Sequence, residues 1–160
     1  MPSLRVLLPL AALVFTACST APPPPKQAPE RKPAVKPADE THLFPQKDLV
    51  DSKVVSDPLL GFKFLPGGSI ASYKSGKREW RAFIVKAASG ERAAIWLLDL
   101  RNALKNAKFV AAYGGYYGAM DDGTPVFAFV KGSRLAGLAG LGEKDFDPPA
   151  RDLAAHLPNQ

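Results

Sequence analysis

One cysteine in 160 residues, Cys18, leaves this chain no partner for a disulfide within itself, so whatever folds must be held by packing. Histidine is nearly as scarce, with only His42 and His156, and neither stands in a set of Cys, Asp and Glu that would build a metal site. Asp121-Asp122-Gly123 brings two carboxylates together, but the alternating acids of a calcium loop are missing and a turn is expected there. No serine occupies a G-x-S-x-G elbow with a histidine to serve it. Phosphate-binding glycine motifs are absent too, because Tyr113-Gly114-Gly115-Tyr116-Tyr117-Gly118 has neither G-x-G-x-x-G spacing nor a following Lys-Ser or Lys-Thr. The parts of a hydrolase are lacking, so enzyme activity, a metal and a cofactor are not expected. Long apolar runs are also missing: Val6 to Phe15 contains Pro9 and is about half the ~20 residues a membrane-spanning helix needs.

What is present begins at the N-terminus. Met1 to Arg5 carries one positive charge and no acid, Val6 to Phe15 is apolar, and Thr16 and Ala17 precede Cys18. That is the three-part layout of a secretory signal peptide. Ordinary cleavage after Ala17 would place bulky Phe15 three residues before the cut, and cleavage after Ala21 would place Pro22 just beyond it. Phe15-Thr16-Ala17-Cys18 instead resembles the lipobox of bacterial lipoproteins, with Phe15 where that family usually has Leu. The resemblance implies that the Cys18 thiol is acylated and that Cys18 becomes the new N-terminus. Two or three acyl chains anchor a protein firmly where one binds only reversibly. Ser19 follows, and without the Asp that favours inner-membrane retention in the sorting pattern this resembles, the outer membrane, on its periplasmic side, is the expected location. The partner implied is the membrane itself, through the lipid on Cys18.

Residues Ala21 to Glu40 hold seven prolines in twenty, no aromatic group, and Val35 as the one large aliphatic side chain. Such a composition cannot bury enough surface to offset its ordering entropy. Extended polyproline geometry would give it a reach of about 60 Å, which makes it a spacer. The chain therefore divides into a signal peptide (1–17), a lipidated cysteine with a Pro-rich tether (18–40), and about 120 residues (41–160) that suffice for one domain.

Within that domain, Lys53-Val54-Val55-Ser56 is expected as an edge strand, Leu59 to Leu65 as a strand between turns, and Ser69 to Tyr73 as a short strand turning at Ser75-Gly76. Lys77 to Ala87 places Trp80, Ala82 and Ile84 on one face and Phe83 and Val85 on the other, as an interior strand covered on both sides would. Ser89 then caps a helix from about Gly90 to Asn106, on which Ala93, Trp96, Leu97, Leu100 and Leu104 form the buried stripe. A strand over Arg92 to Leu98 is the alternative. Val126 to Lys131 is a strand, Gly132-Ser133 a two-residue hairpin turn, and Arg134 to Leu141 the returning strand. Pro148 and Pro149 open a last helix to about Leu157. The expected fold is α+β, one antiparallel sheet of about four to five strands with two helices packed on one face, in an order that allows a strand-strand-helix duplication. Gly61 to Leu157 also resembles a family of uncharacterised bacterial envelope domains, which brings no activity with it.

Three tyrosines, Tyr113, Tyr116 and Tyr117, sit on what reads as a glycine loop and are the candidate surface for a ligand or partner, with packing against the sheet as their other role. The whole chain carries a net charge of +6, mildly attractive to anionic membrane or cell-wall polymer. Nucleic acid is not expected as a partner of an exported chain. Two function classes follow: a tethered interaction or structural module of the cell envelope, meeting an envelope protein or the cell wall, or a small-molecule or lipid-binding domain using the tyrosine loop and the sheet face.

Overall fold

The computed structural model describes residues 36–160. The expected signal peptide, Cys18 and all but the last residues of the tether lie outside the described residues. Seven strands, β1 (Leu49–Val55), β2 (Gly68–Ser75), β3 (Arg78–Lys86), β4 (Lys105–Val110), β5 (Gly115–Ala119), β6 (Pro125–Lys131) and β7 (Arg134–Ala139), accompany two helices, α1 (Gly90–Ala103) and α2 (Asp147–His156). They form a single sheet in the order β1-β2-β3-β7-β6-β5-β4, every neighbouring pair antiparallel. The fold is α+β as expected, but with seven strands rather than four to five.

The unexpected strands are β4, where the sequence is polar, and β5, where it is rich in glycine. Lys105–Val110 is exposed along nearly its whole length, so it shows none of the alternation that marks a half-buried strand. The expected helix therefore stops early: the Leu104 N–H still bonds back to the Leu100 carbonyl, but Leu104 has already turned to extended geometry. A bulge follows, with Asn106 at φ 52° and a register shift between Lys105 and Lys108. Opposite it, Gly118 has no room for a side chain, since a Cβ there would lie 2.9 Å from the Leu104 Cβ. The supposed glycine loop at Gly114 to Gly118 is thus a turn at Gly114, with φ 60°, followed by β5. Conversely, Leu59 to Leu65 is not a strand. Leu59–Gly61 is a 3-10 turn with Leu60 at φ 52°, and buried Leu59 and Leu65 cover the sheet instead of joining it.

The two helices lie on opposite faces, not on one. α1 packs Ala93, Trp96, Leu97 and Leu100 with Phe83 and Val85 of β3 and Val126 and Ala128 of β6. α2 packs Ala150 and Leu153 with the intervening residues Ala82, Ile84, Phe127 and Phe129. Strands apolar on both sides need cover on both sides, and one helix serves each. This placement does not fit a strand-strand-helix duplication that maps β3 onto β7. A two-fold axis relating the antiparallel central strands β3 and β7 stands perpendicular to the sheet and would carry one helix onto the same face as the other.

The remaining cover is local. Ser89 Oγ accepts from the Arg92 N–H at 3.2 Å, capping α1. On the α2 face, the segment before β1 lays Leu43 and buried Phe44 over the sheet. Phe146, at the start of α2, stacks on Phe127 at 4.4 Å. Among the described residues no helix is long and apolar enough to cross a membrane.

At one end of the sheet the chain's entry and its tail are tied together. Glu40, 3% exposed, accepts from Arg134 Nε at 2.8 Å, and Arg134, 9% exposed, donates from Nη1 to the Gln160 carbonyl at 2.8 Å. Lys86 Nζ is 3.6 Å from the same carboxylate, and the Glu40 N–H donates to buried Ser69 Oγ at 2.9 Å. Removing one partner of a buried pair leaves an uncompensated charge, so Arg134→Ala and Glu40→Ala are each expected to lower the unfolding free energy by about 3–5 kcal/mol. In urea titrations the double variant should lose clearly less than the sum of the two. Strict additivity would show that the two side chains do not act as a pair.

Candidate functional site

The tyrosines singled out by the sequence do not share one surface. Tyr113 and Tyr117 turn to the α2 face, and Tyr116 to the α1 face. Tyr113 packs edge-on against Phe127 at 5.0 Å, and its hydroxyl donates to Asp147 Oδ1 at 3.0 Å, at the first turn of α2. Tyr117 stacks on Phe146 at 5.3 Å and donates to the Leu141 carbonyl at 3.3 Å. Tyr116 lies beside Phe109 at 5.5 Å, with the Arg101 guanidinium 5.7 Å from its ring. All three are partly buried and engaged with the sheet or with a helix.

Asp147 joins this cluster to α2. Its carboxyl is held below the ordinary range, first by the bond from Arg151 Nε at 2.8 Å and then by the bond from Tyr113. Burial, and after it the bond to Asp147, push the Tyr113 hydroxyl up to about 12. Burial likewise raises Tyr117.

A different pair of rings floors a cavity. Tyr73 of β2 and Trp80 of β3 face each other across the hairpin, because the tight turn with Gly76 at φ 61° puts them in register. Their rings stack 5.4 Å apart and nearly parallel, at 6°. Above them lies a cavity of about 310 Å3, walled by the segment before β1 on one side and the start of α2 on the other. That volume sits at the lower limit for ligand sites. Ala82, Leu138, Leu141 and Leu153 complete an apolar floor, while Lys47, Asp48, Arg78, Asp145 and Asp152 stand around it.

Each polar group has a reason for its position. Buried Tyr73 donates its hydroxyl to the Pro45 carbonyl at 2.9 Å, which holds the wall segment against the sheet. Burial, and then the nearby charge of Asp152, push that hydroxyl well above the ordinary tyrosine range. Arg78 Nη1 and Asp145 Oδ1 satisfy one another at 2.8 Å. Asp152 has its carboxylate 3.6 Å from His156 Nδ1, on the next turn of α2. Asp48 has no ion pair among the described residues, and its φ of 62° is a conformation that Asp tolerates better than most residues. Among the described residues no three His, Cys, Asp or Glu side chains converge on a point where a metal would sit.

The sequence carried a signal for this site. A turn at Ser75-Gly76 with strands on both sides pairs Tyr73 with Trp80, whereas neither wall, from the segment before β1 or from α2, was within reach. Comparison with family models, with curated proteins and with solved structures finds no match to this chain.

Two outcomes follow. A raised tyrosine stays protonated in the folded chain after its unfolded counterpart has ionised, so stability is full below pH 10 and falls as the pH climbs towards about 12. Tyr113→Phe should lessen that fall in urea titrations taken at intervals across the alkaline range, leaving the part due to Tyr73 and Tyr117. Tyr117→Ala should cost about 3 kcal/mol, as removal of a packed aromatic ring does. Loss of a binding partner with unchanged stability would instead mean that the ring faces outward.

Proposed function

We propose that this chain is a lipid-anchored protein of the bacterial cell envelope, fixed through Cys18, carried on a Pro-rich spacer, and presenting a domain that recognises its ligand in the cavity over Tyr73 and Trp80. The observation that carries this reading is the separation of the domain's two ends. Pro37 lies against Gly67, and Glu40 against Ser69 and Arg134, so the first described residues and Gln160 meet at one end of β2. Tyr73, Ser75 and Trp80 lie at the other. Six residue steps of strand lead from Ser69 to Ser75, about 20 Å at ~3.3 Å per residue. A ligand can thus approach the cavity from the side away from the domain's entry.

The lipobox resemblance, the spacer composition and a mixed polar and apolar cavity support an interaction module above an enzyme. The volume suits one amino-acid or sugar unit, not a lipid with its acyl chains. An outer-membrane location, with the domain in the periplasm, follows from Ser19 after Cys18.

Lipid attachment is tested by growing a Gram-negative host that expresses the full chain with radiolabelled palmitate. Label should enter the wild-type protein and be lost in Cys18→Ser, which should accumulate unprocessed or soluble. Equal labelling of both proteins would overturn the anchor.

A further inference from the structure

Carboxylates gather at this cavity although the domain as a whole is basic. From Thr41 onward the chain has sixteen Lys and Arg against twelve Asp and Glu. Around the cavity the balance reverses, with Asp48, Asp145 and Asp152 against Lys47 and Arg78. Arg78 and Asp145 are taken up with each other at 2.8 Å. That leaves Asp48 and Asp152, on the two opposing walls, with Lys47 as the other cation of the lining and the His156 ring 3.6 Å from the Asp152 carboxylate just outside it. Asp152 is near enough to Tyr73 for its charge to act on the hydroxyl. Between these carboxylates lie the faces and edges of two stacked rings and an apolar floor.

We propose that the cavity takes an alkyl chain ended by an ammonium group, the chemistry of a lysine or diamino-acid side chain and of a free diamine. The inference rests on reading the cavity as the binding site of the domain. Methylenes would lie on Leu138, Leu153 and the rings, where they leave water. The ammonium would reach the mouth between Asp48 and Asp152, where charge-assisted hydrogen bonds are stronger than neutral ones and aromatic faces attract a cation. An anionic ligand would meet those same carboxylates, with the Arg78 guanidinium already engaged. A neutral alkyl group would fill the floor and leave Asp48 without an ion pair and Asp152 with His156 alone.

Titration calorimetry on the full chain in non-ionic detergent tests this with four probes: cadaverine, Nα-acetyl-lysine methylamide, Nα-acetyl-norleucine methylamide and N-acetylglucosamine. At least one of the two amines should bind, about tenfold or more tighter than the norleucine analogue, given the strength of hydrogen bonds between charged groups. Preference for the lysine amide points to a peptide as the source, and preference for cadaverine to a free diamine. Asp152→Asn should weaken the amine by a similar factor with the melting temperature unchanged, since this side chain is exposed on α2. Asp48→Asn is the companion variant, because Asn tolerates the same positive φ. Equal binding of the norleucine analogue, or binding of N-acetylglucosamine alone, would overturn the ammonium assignment and leave the cavity as a site for another ligand. If none of the four binds, the cavity reading falls with it.

Discussion

The buried pair of Glu40 and Arg134 is the interaction on which the rest of the domain depends. Arg134 opens β7, which lies at the centre of the sheet beside β3, and its guanidinium reaches both the entering chain and the last residue. Lys86 at the end of β3 and Ser69 near the start of β2 complete the group. Three strands and both ends of the domain are therefore fixed at one place. Two charges in a nearly dry site repay their desolvation only when the remaining donors and acceptors are also met, and here the backbone carbonyl of Gln160 and the Ser69 hydroxyl contribute to that. The opposite end of the sheet is left without such a lock, and that is where the cavity opens.

The fold's second requirement is cover on both faces. Much of it was legible: the alternation of Trp80, Ala82 and Ile84 with Phe83 and Val85 already marked β3 as apolar on two sides. Helices on one face alone were never compatible with that strand, since half its side chains would have met water. The caps, hairpin turns and central strands were readable because each has a local cause, such as Ser89 ahead of α1 or Gly132, at φ 57°, between β6 and β7. The edges were not. β4 buries almost nothing, and Leu59 to Leu65 alternates like a strand while serving as a plug, because hydrophobic alternation records burial and not hydrogen bonding.

The candidate site followed the same division. Tyrosines beside glycines suggested an exposed loop, yet Gly115 and Gly118 are small because neighbouring backbone and side chains press on them, and their tyrosines are correspondingly packed. Tyr73 and Trp80 lie only seven residues apart, and hairpin geometry alone brings them face to face. The carboxylate of Asp152 comes from α2, and no spacing in the sequence predicts that this helix crosses to the same face and stops beside them.

Both outer strands of the sheet carry a register break, between Leu49 and Asp51 in β1 and between Lys105 and Lys108 in β4. An open strand edge is a template for adding another strand, and bulges and lysines are the usual means of spoiling it. Proteins confined to a surface meet one another far more often than the same number free in solution, always along similar orientations. Two spoiled edges would hinder neighbouring copies from zipping into a continuous sheet, a safeguard that would matter most if the chain is held on a membrane as proposed.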